Sequence, residues 1–216
     1  MEETALSQTN RHQSDRPTIH KAVLCKTSKF LRAALKPEWQ GPEPRPVDLT
    51  DEDPVQFGMY LCWLYTGKLP VQPLAKLPND DKHQEDYHMP STSYLALARA
   101  FVLGAKLMDS AFQNHILKVF IDCVECDRLV PHNEVVRIIY GGTEADSPAR
   151  KLMVDFWVGE TEDMCEENDR VVDTVGVDFA NDLILALFAQ RAKPYSKDGK
   201  NKPWIKEPMQ YRIKDD

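Results

Sequence analysis

The chain has 216 residues, with 34 acids against 27 bases and a formal net charge of -7. A chain of this length buries roughly 70% of its unfolded surface as a single domain. The acid excess argues against the basic footprint of a duplex-binding domain, and an odd count of five cysteines argues for free thiols over a secreted disulfide scaffold. Met1 to Arg16 holds only Met1, Ala5 and Leu6 as apolar residues, which leaves nothing for a signal segment. No run of about 18 apolar residues occurs. These features predict an intracellular protein, cytoplasmic or nuclear, without a membrane or nucleic-acid partner.

Residues 1–16 are polar and aperiodic and read as a disordered leader. Val23, Leu24, Phe30, Leu31, Ala34 and Leu35 recur at helical spacing between Ile19 and Leu35. Lys36-Pro37 stops that helix, because a residue before proline is pushed out of the helical region. Four prolines between Pro37 and Pro46 mark a connector. Val47-Asp48-Leu49 alternates as a short strand. Asp53-Pro54 then starts a helix, with Asp53 as cap and Gln56 where a capping-box partner belongs. Its stripe is Phe57, Leu61, Leu64 and Tyr65, and Gly67 supplies a left-handed cap.

Residues 70–90 hold four prolines, His83, His88, Asp80, Asp81, Glu85 and Asp86, and read as a long flexible loop. A helix resuming at Ser91 carries Leu97, Ala98, Phe101, Val102 and Ala105. Asp109 caps the next, whose stripe is Phe112, Ile116, Val119, Phe120, Cys123 and Val124. Pro131 opens another helix, which Gly141-Gly142 stops. Ser147-Pro148 precedes a helix with Leu152, Met153, Phe156 and Trp157. A last amphipathic helix carries Phe179, Leu183, Ile184, Leu187 and Phe188. Residues 193–216, seven bases against four acids, read as a flexible basic tail.

His20-Lys21-Ala22-Val23-Leu24-Cys25 with Ser28-Lys29-Phe30-Leu31-Arg32 resembles the helical hairpin of the BTB/POZ family. Val47-Asp48-Leu49, then Asp53-Pro54-Val55-Gln56-Phe57 and Leu64-Tyr65-Thr66-Gly67, extend the resemblance over roughly residues 18–125. The segments Pro131 to Val136 and Ala149 to Asp155 are similar to the helical extension of fungal proteins with one BTB domain. The resemblance implies an α+β, predominantly α-helical fold. It comprises a BTB/POZ-like helical cluster with a reduced small sheet over residues 17–126 and an all-α C-terminal extension over 127–192. It also implies a structural role for His20, Lys21, Leu24, Ser28, Phe30, Asp53, Phe57, Leu61, Tyr65 and Gly67. In this reading the His20 ring lies against the core, and Leu24 and Phe30 pack on the Phe57–Leu61–Tyr65 stripe.

The sequence departs from the family in two places. The strand hairpin of about twenty residues that precedes the histidine, rich in β-branched residues, is largely missing, which leaves an unpaired edge on Val47–Leu49. Either another partner covers that edge or the chain is a shortened product. The hydrophobic-x-Glu element of cullin adaptors is also lacking, since Lys36 and Gly41 precede Glu38 and Glu43 by two residues. Cullin-type ubiquitin-ligase binding is therefore not supported.

Motifs for chemistry are weak. Cys123-x-x-Cys126 lacks two further ligands, and His115 lies about 12 Å from Cys123 along a helix; a core thiol and a helix-end thiol explain the pair. His83 and His88 with their acidic neighbours read as a solvated loop rather than a chelate. Gly141-Gly142-Thr143 lacks the lysine of a phosphate loop. No catalytic residue, metal ligand or cofactor is predicted. The first expectation is a non-catalytic protein–protein interaction module, self-associating or acting as an adaptor. Its candidate interaction residues are Leu35, Glu38, Trp39, Val47 and Leu49. Trp39 is either an exposed anchor or a lid folded over the hairpin. The alternatives are a thiol- or metal-dependent enzyme using Cys123 and Cys126, and a truncated product. Asp155 to Asp182 holds ten acids and only Arg170, so the acidity is concentrated in the extension.

Overall fold

The computed structural model describes residues 3–7, 18–36, 38, 47–49, 51–71, 90–127, 129–160, 171–190 and 202–213. Most of them are helical. A small sheet has the order β2-β1-β3. Strand β1 (Glu3–Ser7) runs antiparallel to β2 (Thr18–His20), with Thr4 opposite Ile19, and parallel to β3 (Val47–Asp48), with Leu6 opposite Val47. Two expectations change here. Residues 3–7 form a strand within the supposed leader, and β3 is paired rather than open. A five-residue strand has no diagnostic period of its own; its pairing satisfies backbone groups supplied by distant segments.

Helical spacing over Ile19–Leu35 resolves into two short helices, α1 (Lys21–Leu24) and α2 (Lys29–Ala34). Ser28 makes the break. Its hydroxyl oxygen accepts the Leu31 N–H at 3.0 Å and so caps α2, the local competition with backbone bonding that serine favours at helix starts. Helix α3 (Pro54–Thr66) begins as the sequence predicts, with Asp53 accepting the Val55 N–H at 2.9 Å. It ends on Gly67, whose φ of 69° suits a residue without Cβ and whose N–H donates to the Trp63 carbonyl at 2.8 Å. Gln56 does not close a capping box: it is buried, and its Oε1 has no partner. The inward face is Gln56, Phe57, Met59 and Tyr60; Leu61 and Leu64 are half-buried and Tyr65 is exposed.

The central helices are α4 (Pro90–Lys106), α5 (Ser110–Asp127) and α6 (Asn133–Gly142). Helix α4 packs on α3, α5 and α6. Phe57, Tyr60, Phe101, Phe112 and Phe120 are buried, and Phe112 meets Tyr60 and Trp63 at 4.9 and 5.0 Å between centroids. His132, not Pro131, caps α6, its Nδ1 accepting the Glu134 N–H at 3.3 Å. Gly141 and Gly142 lie inside α6, and neither has a positive φ. A Cβ on Gly142 would overlap Val102 of α4. That glycine therefore permits close helix packing and does not act as a stop.

Helices α7 (Pro148–Glu160), α8 (Val171–Val175) and α9 (Val177–Gln190) complete the extension. Helix α9 lies against α7, α8 and α6. Phe179 is its main inward anchor, 5.1 Å from Trp157 and 5.4 Å from Tyr140. The tail also departs from expectation. Residues 202–213 contain α10 (Pro203–Lys206) and a 3-10 turn (Pro208–Tyr211), with Trp204 and Tyr211 fully buried. Burying two large aromatic rings outweighs the polar composition that suggests a free end.

Candidate interaction surfaces

A buried polar staple holds the α1–α2 hairpin onto the turn between α4 and α5. Asp109 has no exposed surface. One of its oxygens accepts the Phe112 N–H at 3.0 Å and caps α5. The other accepts the Tyr60 hydroxyl at 2.8 Å and the Thr27 hydroxyl at 2.5 Å. Ser28 donates its hydroxyl to the Leu107 carbonyl at 2.6 Å, and the Lys29 and Phe30 amides donate to the Met108 and Leu107 carbonyls. Burial, reinforced by the Asp109 charge, raises the Tyr60 pKa far above its ordinary value and keeps the phenol a donor. These bonds fix the hairpin against the helical cluster. Asp109 is legible in the sequence as a helix cap; its bonds to Tyr60 and Thr27 are not, because they join residues 49 and 82 positions apart.

The proposed contact residues divide. Leu35, Val47 and Leu49 are buried in the core; Glu38 is exposed; Trp39 lies outside the described residues. The structural residues divide as well. Leu24, Ser28 and Phe57 are buried, Lys21 and Leu61 are half-buried, and Asp53 and Gly67 cap α3. Phe30 is 36% exposed. His20 ends β2 and is exposed, with its ring against Tyr65 and not the core. Its N–H donates to the Tyr65 oxygen at 3.3 Å, and its Nδ1 lies 3.2 Å from the same hydroxyl. The supposed α3 stripe extends one turn too far, so Tyr65 meets β2 at the surface.

Between the start of α3, α4 and α6 lies a cleft of about 400 Å3. Asp51, Glu52 and Asp53 face Arg99, Lys106 and Arg137 across it. Lys106 spans it to Glu52 at 2.8 Å, Asp53 is used as a cap, and Arg137 donates to the Asp173 carbonyl at 2.5 Å. Its lining charges balance, and it holds no cysteine, serine or histidine.

Cys123 is buried within α5, Cys126 is exposed near its end, and Cys25 and Cys62 are free and half-buried. Among the described residues no group of three His, Cys, Asp or Glu side chains is arranged to hold a metal ion. His83 and His88 lie outside the described residues. His115 is half-buried beside Trp63, and burial together with the Lys118 charge lowers its pKa.

The C-terminal strap crosses α5 and α7. Glu125 accepts both the Trp204 indole N–H at 2.6 Å and the Lys202 ammonium at 3.1 Å. Trp204 packs edge-on to Phe156 at 5.2 Å. Tyr211 donates to Asp155 at 2.5 Å, and Asn114 exchanges two bonds with the backbone of Ile213. Burial raises the Asp155 pKa against the opposing effects of Tyr211 and Lys151.

Among the described residues of the extension, helix α9 carries the most large exposed apolar side chains. Phe179 and Ala180 are buried and Leu183 is half-buried, but Val177, Ile184, Leu185, Leu187 and Phe188 are between 47% and 67% exposed. Three residues assigned to its core stripe, Ile184, Leu187 and Phe188, thus face outward. A helix that is apolar nearly all round gives no periodic signal for which face is inside.

Residues 12–95 match the family model of the BTB/POZ domain. Strands β2 and β3, the α1–α2 hairpin and α3 lie within the matched span, which supports a BTB/POZ domain over that part of the chain. The match ends within α4, so α5 to α9 and the strap lie beyond it. No curated protein and no solved structure matches the chain. No helix among the described residues is long and apolar enough to cross a membrane.

Proposed function

We propose that this protein is a non-catalytic adaptor, binding protein partners through surfaces mounted on a rigid helical scaffold. BTB/POZ domains are in general interaction modules. The observation carrying the reading is the α9 face, where four large apolar side chains and Val177 stand outward from a helix anchored by Phe179. A group of large exposed apolar side chains at such a place is a mark of docking. Glu38 remains the exposed member of the hairpin set.

The test is site-specific photo-crosslinking of the full chain in its native cell, with the reactive residue at Leu185 and, separately, at Glu38. The adaptor reading predicts discrete crosslinked proteins from at least one position. Crosslinks from neither would overturn it.

A further inference from the structure

Independently of the α9 surface, we propose that the cleft between the start of α3, α4 and α6 binds a free α-amino acid with an apolar side chain. Its walls carry opposite charge. Asp51, Glu52, Asp53 and Gln56 form the α3 side, and Arg99 and Lys106 of α4 with Arg137 of α6 form the other. Three polar groups of this cleft are left unused. Among the described residues, neither Asp51 nor Arg99 has a hydrogen-bond or ion-pair partner, and both are exposed. Gln56 is only 6% exposed, yet its Oε1 accepts no hydrogen bond. A buried acceptor left unpaired is costly, and native structures rarely keep one that nothing fills.

The arrangement of charge selects the ligand. A simple anion such as phosphate would meet three carboxylates in the same cleft, and a simple cation three bases. A ligand carrying both signs satisfies both walls. Lys106 reaches Glu52 at 2.8 Å, so at that point the walls stand one ion pair apart. A molecule bridging walls that close carries its two charges near each other, as an α-amino acid does on a single carbon. Its ammonium supplies donors for the Gln56 Oε1 and for Asp51, and its carboxylate accepts from the Arg99 guanidinium. The Lys106–Glu52 pair faces solvent and yields at little cost. Val102, Leu103 and Ile138 supply apolar lining for the ligand side chain. The volume of about 400 Å3 is that of a small-molecule site.

The test is isothermal titration calorimetry of the full chain with leucine, methionine and phenylalanine as probes. At least one is expected to bind saturably, at one site per chain. The N-acetyl derivative of that probe lacks the cation and its amide lacks the anion. Each should bind at least about tenfold more weakly, because a charge-assisted bond is lost. Arg99→Ala and Gln56→Leu should each weaken the parent amino acid by about tenfold or more. Circular-dichroism melts confirm that the variants fold, and the exposed Arg99 position keeps the test open if Gln56→Leu does not. No saturable binding of any probe up to about 10 mM would overturn the proposal. So would equal binding of the capped derivatives, or binding indifferent to Arg99. Tighter binding of the end-blocked tripeptide lysine–leucine–aspartate would also overturn it, since the cleft would then take a protein segment.

Discussion

The staple around Asp109 and the outer face of α9 use opposite chemistry to opposite ends. Around Asp109 the hydroxyls of Thr27 and Tyr60 and the Phe112 amide converge on one buried carboxylate. On α9, large apolar groups are held in water, although Phe179 already fixes the helix in place. Buried polar groups are tolerated when every one is bonded, and they then determine one geometry. Exposed apolar groups add little to folding and are retained where something else covers them. The contrast separates residues that build this molecule from residues that it presents.

The sharpest way to break the contrast is at Asp109. Asp109→Ala strips the α5 cap and removes the acceptor of the buried Tyr60 hydroxyl and of the half-buried Thr27 hydroxyl. A loss of about 4 kcal/mol is expected in urea unfolding. A loss under about 1 kcal/mol would mean the staple is not structural. Trp204→Ala should cost about 3 kcal/mol, and it should also speed tryptic cleavage at Lys206 by releasing the strap. Unchanged cleavage would show that the strap holds without its indole. Gly142→Ala should cost about 2 kcal/mol, because its Cβ overlaps Val102 and forces α4 and α6 apart.

Asp155 gives a smaller, pH-dependent effect. Its folded pKa is raised, chiefly by burial, so the folded state holds its proton more tightly than the unfolded chain. The contribution is present below the ordinary carboxylate value and is lost as pH rises through the folded-state value. Wild type should therefore lose stability relative to Asp155→Asn as pH rises from the ordinary carboxylate range toward neutrality. A constant difference across that window in urea melts would contradict the assignment.

The legible parts of the fold were those written in local chemistry. Asp53-Pro54 and Gly67 bracket α3 because capping depends on residues within one turn. The Asp109 cap is visible for the same reason, whereas the His20 to Arg32 hairpin comes from the family resemblance alone, since its spacing by itself reads as one helix. What stayed hidden depends on distant partners. Residues 3–7 become a strand only through β2 and β3, and residues 202–213 order only because Glu125, Asp155 and Phe156 receive Trp204 and Tyr211. The candidate site was the least legible. Val47 and Leu49 looked like an open edge until β1 covered it, while Ile184 and Phe188 looked like core. On both elements apolar residues alone do not say which side faces inward; the packing of neighbours does.

The smallest expected effect is the most direct test. If the outer face of α9 serves partners and not folding, Ile184→Ser with Leu185→Ser should shift the free energy of unfolding by no more than about 0.5 kcal/mol. The measurement is a urea melt of the full chain beside wild type. A shift within that range is the predicted result. A loss of about 2 kcal/mol or more would show that these side chains are packed within the chain itself, and would contradict the account.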